Sequence, residues 1–325
     1  MIGFIGLVSG YQRPSNPIQY SIKPLSKYGY IQGLCFRNAN LYYGTNYGEV
    51  VCLKRDEKAN LIEKWVLPVS KRNIRQIKAT SSHLLVRCDA VDMSETGRSV
   101  LYSLEDLMVN GIKRWNDNTV YEGITEDNQW IRCNARGEIV SRFVDKEEGF
   151  VVRKELKLGT FDHVSCATIY YHRLYIMTFQ GYLWVINIQK EKYVVEGRHQ
   201  LNFPLSTVIH VSEPSKPEFN SVFVYIGNQE GEMYFTQLFE KRCVGHMRDR
   251  INEGVITQIL TNGRGVFVAF DDATIMLIEP LKFVELFRIK GQSHYYTHMD
   301  SMTLTPRALF YISDDDKLIR FHTIE

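Results

Sequence analysis

The sequence reads as all-β: a single ring of seven four-stranded antiparallel blades, a β-propeller. Three observations predict it. First, a hydrophobic strand, a Gly- or Asp-rich turn and a second alternating strand recur seven times along the 325 residues. The turns fall at Tyr47-Gly48-Glu49, Thr96-Gly97-Arg98, Arg136-Gly137-Glu138, Gln180-Gly181-Tyr182, Glu230-Gly231-Glu232, Asp271-Asp272-Ala273 and Asp315-Asp316-Lys317. Second, the turns succeed one another every 40 to 50 residues, the spacing of four-stranded propeller blades. Third, the last repeat is one strand short, and a spare strand lies near the start of the chain.

The first repeat shows the unit. Ile31–Phe36 is an inner strand A, Leu41–Tyr43 strand B, Val50–Leu53 strand C and Leu61–Val66 an outer strand D. The fourth repeat has the same order, with Val164–Tyr171, Arg173–Thr178, Tyr182–Ile188 and a strand from Tyr193. The middle strands carry β-branched and aromatic residues on both faces, as a sheet stacked between two neighbours requires. Blades are expected at about 30–70, 71–117, 118–158, 159–202, 203–251, 252–291 and 292–325, the last completed by 18–25. Repeats two and three are less regular. Asp89–Arg98 reads as a long B–C loop, Leu104–Val109 as a possible helical turn and Asp145–Gly149 as a charged tip. In the fifth repeat Glu213-Pro214-Ser215-Lys216-Pro217 reads as an A–B loop, because this proline spacing does not fit a strand. The last repeat offers Ser301–Leu304, Leu309–Ile312 and Leu318–His322, and Ile18–Lys23 is its missing outer strand. Lending that strand closes the ring and removes open edges.

Composition agrees with one large core. Apolar residues make up 44% and aromatics 12%, which is globular. Length alone suggests two domains, but blades bury their faces only against neighbours, so the ring is one domain. Basic and acidic residues number 39 and 37, a net charge of +2, so no whole-molecule field marks a nucleic-acid binder. The six cysteines, Cys35, Cys52, Cys88, Cys133, Cys166 and Cys243, form no C-x-x-C pair and sit in strand-like stretches. They read as buried reduced thiols. With no N-x-Ser/Thr sequon, they indicate a reducing setting, cytoplasmic or nuclear and not secreted. Met1–Val8 is apolar but too short to span a bilayer, so membrane insertion is not expected.

Chemistry is hard to find. The chain lacks G-x-S-x-G, H-E-x-x-H, Walker and G-x-G-x-x-G motifs, and its nine histidines are scattered. Glu230 with Glu232, Asp271 with Asp272, and Asp314–Asp316 are paired or clustered acids, but each pair sits where tight turns select such residues for backbone reasons. Asp162, His163, His298 and Asp300 lie near the axis in the expected ring, too few to compose a metal site. No cofactor, metal or catalysis is expected. A hydrolase with a metal at the ring centre is the rival reading.

Basic residues on or just after the outer strands form the more useful pattern. Lys71, Arg72, Arg75 and Lys78 make one dense segment, and Lys241, Arg242, Arg248 and Arg250 another. Both are read as D–A connections, which share a face with the B–C loops. That face is a candidate for an acidic or phosphorylated peptide or, less favoured because few aromatics interleave, for a nucleic-acid backbone. Salt-bridged surface loops would give the same pattern. Tyr295 and Tyr296, beside His294 and His298, form a further candidate anchor for a partner.

The C-terminal repeat resembles a WD40 repeat. Ser313–His322 looks like that family's B–C turn and third strand, with Phe321-His322 where Trp-Asp is usual. Gly291-Gln292 stands near the Gly-His position, and Leu304-Thr305-Pro306 resembles the end of strand A. Phe270–Leu277 and Gly181–Val185 are weaker echoes. The hydrogen-bonded Asp–His–Ser/Thr–Trp set of that family is not traceable in a complete repeat, which leaves open a divergent WD40 ring or another propeller class with the same blade size. The resemblance implies a platform for the other proteins of a multisubunit complex, without catalysis.

Overall fold

The computed structural model describes residues 19–22, 31–55, 61–89, 97–114, 119–145, 149–158, 163–189, 192–213, 221–239, 241–262, 265–279, 282–290, 301–305, 308–312 and 319–323. Among them are seven four-stranded antiparallel sheets and no helix. Blade 1 is β2 (Ile31–Arg37), β3 (Asn40–Thr45), β4 (Glu49–Arg55) and β5 (Leu61–Pro68). Blade 2 is β6 (Ile74–Ala79), β7 (His83–Cys88), β8 (Arg98–Ser103) and β9 (Val109–Arg114). Blade 3 is β10 (Thr119–Ile124), β11 (Gln129–Asn134), β12 (Glu138–Asp145) and β13 (Gly149–Lys157). Blade 4 is β14 (Val164–Tyr170), β15 (Arg173–Thr178), β16 (Tyr182–Asn187) and β17 (Val194–Gln200). Blade 5 is β18 (Ser206–Ser212), β19 (Ser221–Asn228), β20 (Glu232–Phe239) and β21 (Arg242–Arg250), and blade 6 is β22 (Ile256–Thr261), β23 (Val266–Phe270), β24 (Thr274–Glu279) and β25 (Val284–Lys290). Blade 7 has β26 (Met302–Leu304), β27 (Ala308–Ile312) and β28 (Ile319–Thr323), and its outer strand is β1 (Gln19–Ile22). Gln19 pairs with His322 and Ile22 with Ile319, so the closure expected from the spare N-terminal strand is observed.

Two irregularities repeat from blade to blade that the sequence hides. The A–B register shifts near the start of strand A in blades 1 to 6, at Gly33, Arg75, Val120, Ser165, Thr207 and Thr257. The C–D register shifts partway along in the same six blades. A bulge bends a strand and adds twist, which suits a sheet that must turn between axis and rim. Leu104–Asp106 forms a turn stitched by Leu107 N–H to the Ser103 carbonyl at 3.0 Å, not a helix.

The core lies between blades. Tyr42, Cys52, Ile74 and Val86 join blades 1 and 2. Similar clusters join blades 3 to 4, 4 to 5, 5 to 6, 6 to 7 and 7 to 1. The seam between blades 2 and 3 differs: among the described residues its buried apolar cluster is Leu85, Leu101 and Trp130, with Ile124 beside it. There the ring buries Glu122 of β10, 2% exposed. Its carboxylate accepts hydrogen bonds from Ser99 Oγ at 2.5 Å and Trp130 Nε1 at 2.8 Å. Burial pushes its pKa up, against the pull of Ser99, Arg87, Trp130 and Arg132. Lys78 donates to the Glu122 carbonyl at 2.8 Å and lies 4.1 Å over the Tyr121 ring. The later seams use neutral groups instead. Ser165 and Ser206 hydroxyls meet at 2.6 Å, Thr207 Oγ1 donates to the Ile256 carbonyl at 2.5 Å, and Gln258 bonds the Ser301 and Met302 backbone at 2.9–3.1 Å.

All six cysteines are free thiols. Burial raises Cys133 and Cys166 to about 12, far from the range of a reactive thiolate.

Candidate functional site: a basic corner between blades 1 and 2

The face carrying the B–C turns and D–A crossings is built by one local device. In four turns a Thr or Asn stands three residues before the turn glycine and a Glu or Tyr follows the glycine: Thr45 to Glu49, Asn134 to Glu138, Thr178 to Tyr182 and Asn228 to Glu232. The Thr or Asn oxygen accepts the backbone N–H of that last residue, at 3.1, 2.9, 3.1 and 2.9 Å respectively. The glycine carbonyl then accepts from the chain crossing to the next blade. Gly48 receives Val69 and Ser70 N–H at 2.9 and 3.0 Å, and Gly231 receives Ile251 at 3.0 Å. Glycine is required by both conformation and space. At Gly48, φ is +81° and a Cβ would stand 2.1 Å from the Ser70 carbonyl oxygen. Carboxylates at these turns also hold backbone: Asp271 accepts Val255 N–H at 2.9 Å and Asp272 accepts Thr274 N–H at 2.8 Å. That is turn chemistry, as their setting indicated.

In blades 3 and 5 the Glu after the glycine neutralises the base on the adjoining outer strand. Glu138 pairs with Lys157 at 3.3 Å, and Glu232 with Arg248 at 2.8 Å. The Arg248 hydrogen bonds, with help from Asn228, hold Glu232 below its ordinary carboxylate value despite partial burial. Asn134, then Lys157, does the same for Glu138. Arg248 also lies 5.3 Å over the Phe203 ring, so it is fixed in place and its charge is matched.

Blade 2 reverses this arrangement. Cys88 replaces the Thr or Asn, and the residue opening strand C is Arg98, cross-strand from both Cys88 and Arg114. Arg98 reaches over to donate to the Val69 carbonyl at 2.6 Å. Ser70 Oγ accepts Arg72 N–H at 2.9 Å and sets the crossing so that Arg72 donates to the Asp89 carbonyl at 3.4 Å. Arg75, the bulge residue of β6, is ion-paired to Asp89. Lys71 is exposed on the same crossing. Arg72 and Arg75 thus both contact Asp89, with Arg98 and Lys71 on the adjoining turn and crossing. The buried Cys88 thiol lies beneath them; desolvation raises its pKa although Ser70, Arg98 and Arg72 pull it down. The corner is half-buried and rich in backbone-anchored arginines, a donor set that suits multidentate recognition of carboxylate or phosphate oxygens.

The structure thus joins Lys71, Arg72 and Arg75 in one cluster and adds Arg98 and Asp89, which the sequence reading did not single out. The signal was present: Glu follows the glycine at 49, 138 and 232, and Arg does at 98. The second basic segment is not the D–A connection it was read as. Lys241 is in the C–D turn and Arg242–Arg250 is strand β21 itself. Lys241 and Arg242 consequently stand at the opposite end of the blade from Arg248 and Arg250, and on the opposite face from Arg72. The reading failed because hydrophobic residues in that outer strand are sparse: it carries four charges in nine positions. Tyr295, Tyr296, His298, Asp300, Asp162 and Asp314–Asp316 lie outside the described residues, and His163 is exposed. Among the described residues, no three His, Cys, Asp or Glu side chains group to hold a metal ion.

No family model matches the sequence and no curated protein does. Solved structures do. The β-propeller domain of Cps50 (Swd1) from Myceliophteria thermophila is 12% identical, with 96% of this chain and 100% of that chain covered at a TM-score of 0.71. BamB from Moraxella catarrhalis is 12% identical, with 91% and 83% covered at a TM-score of 0.55. At such identity the likeness is one of fold, and the chain is a seven-bladed β-propeller.

Proposed function

We propose that this chain is a non-catalytic interaction scaffold, a subunit of a larger intracellular assembly. Its corner between blades 1 and 2 takes an acidic or phosphorylated segment of a protein partner. The observation that carries this reading is the charge at one repeated position. Where blades 1, 3 and 5 place Glu, blade 2 places Arg98, which bonds the crossing that carries Lys71 and Arg72 and leads into Arg75. Likeness to other propeller domains supports an interaction role in general terms, and six free thiols favour a reducing compartment. The test is affinity purification of the full chain with and without Arg72→Glu and Arg98→Glu. The wild type retains a stable set of co-purifying proteins and the double variant, still folded, loses it. An unchanged set, or none with the wild type, contradicts the proposal.

A further inference from the structure

We propose that the outer strand of blade 2, β9, pairs with β9 of a second copy of this chain, joining two propellers edge to edge. β9 ends its sheet, so alternate backbone N–H and carbonyl groups face outward, the arrangement that recruits another strand. The outer strands of blades 1 and 3 to 6 carry charges that discourage such pairing, and β1 is only four residues long. β5 has Glu63 and Lys64, β17 has Glu196 and Arg198, β21 ends in Arg248-Asp249-Arg250, and β25 has Glu285 and Arg288. From Leu107 to Ile112, blade 2 has no charge at all. Met108, Val109 and Ile112 are 64%, 48% and 55% exposed.

The C–D bulge gathers two of these side chains. Val109 is opposite Tyr102, Gly111 opposite Leu101, and Asn110 is the extra residue. Ile112, one step beyond Gly111, therefore faces the same side as Val109 although the two are three apart. Without the bulge they would face opposite sides. Asn110 is fixed by a 3.0 Å hydrogen bond to His83 Nε2.

The order of charge along the segment selects a second copy as the occupant. Exposed Glu105 and Asp106 precede the apolar stretch, and positions 113 and 114 after it are Lys and Arg. About a two-fold axis near Asn110, an antiparallel copy sets Met108 against Ile112. It also brings each acidic end alongside the other copy's basic end. An isologous contact needs this self-complementarity.

The test is sedimentation equilibrium of the full chain and of two charge-reversed variants, Glu105→Lys/Asp106→Lys and Lys113→Glu/Arg114→Glu. The wild type should show a concentration-dependent monomer–dimer equilibrium that added salt weakens. Each variant alone should be monomeric, because like charges meet at both ends. An equimolar mixture of the two should restore the dimer, because both ends are again complementary. Ile112→Lys, at an exposed site, should also give a folded monomer. A wild type that is monomeric throughout, a dimer that survives Ile112→Lys, or a mixture that stays monomeric while the wild type dimerises would overturn the proposal.

Discussion

Blades 2 and 5 share four strands, the same pair of bulges and corresponding turns, yet they place charge in opposite ways. Blade 5 keeps its seams neutral, with Ser206 and Thr207 hydroxyls toward its neighbours, and pairs its rim arginine with Glu232. Blade 2 joins blade 3 through a buried carboxylate and opens its third strand with Arg98 where blade 5 has Glu232. A neutral seam and a matched rim serve stability alone. Burying a carboxylate and crowding arginines are costly on both counts, so blade 2 is where the ring departs from what folding by itself favours.

The largest effect expected is at the seams. Glu122→Ala strips the acceptor from the buried Ser99 and Trp130 donors and leaves a cavity in the seam. Each buried donor left without an acceptor costs about 1–3 kcal/mol. Thr207→Val, removing one hydroxyl bond between blades 5 and 6, should cost about 1 kcal/mol. Urea denaturation of the two variants compares them, and equal losses would erase the distinction between the seams.

The glycine crossings come next. Gly48→Ala and Gly231→Ala each impose a positive φ on a Cβ and drive it into a carbonyl oxygen, at 2.1 and 2.0 Å. Each should cost about 1–3 kcal/mol, seen as a lowered thermal midpoint. Only Gly48→Ala should also disturb the basic corner, because Gly48 anchors the crossing that carries Lys71 and Arg72.

The smallest effect is in pH dependence, and the two blades should differ in sign. Glu232 has a depressed folded pKa, so its stabilisation is present above the unfolded carboxylate value and is lost as pH falls through the folded one. Glu122 has a raised folded pKa, so the folded state holds its proton more tightly. Its contribution is greatest below the unfolded value and declines as pH rises toward the folded value. Arg248→Ala should therefore flatten part of the acid-side loss, and Glu122→Gln should flatten part of the decline on raising pH. Denaturation midpoints across pH 3–8 for wild type and both variants check this; the same sign for both variants would refute it.

The fold was legible because its signals are local. Turn glycines announce themselves by period, and the β1 strand was found by a missing partner at the far end. The site was less so. Glu122 meets Ser99 and Trp130 from two different blades, and strand alternation gives no sign of a contact across a seam. Arg98 was visible in its turn, but its meaning depends on knowing that positions 49, 138 and 232 are structurally equivalent to it. The second basic segment misled because a charged edge strand and a charged loop look alike in sequence. Only the register of β20 with β21 separates them.

The most direct measurement is fluorescence-anisotropy titration of a labelled oligoglutamate peptide, and of the same peptide with a phosphoserine, against matched charge reversals in the two blades. The wild type should bind, more weakly as salt is added. Arg72→Glu/Arg98→Glu should lower affinity at least tenfold, whereas Arg248→Glu/Arg250→Glu should leave it within about twofold, since Arg248 is already paired to Glu232. Equal losses from both reversals, or no binding of either peptide by the wild type, would contradict the assignment of the acidic-partner site to the corner of blade 2.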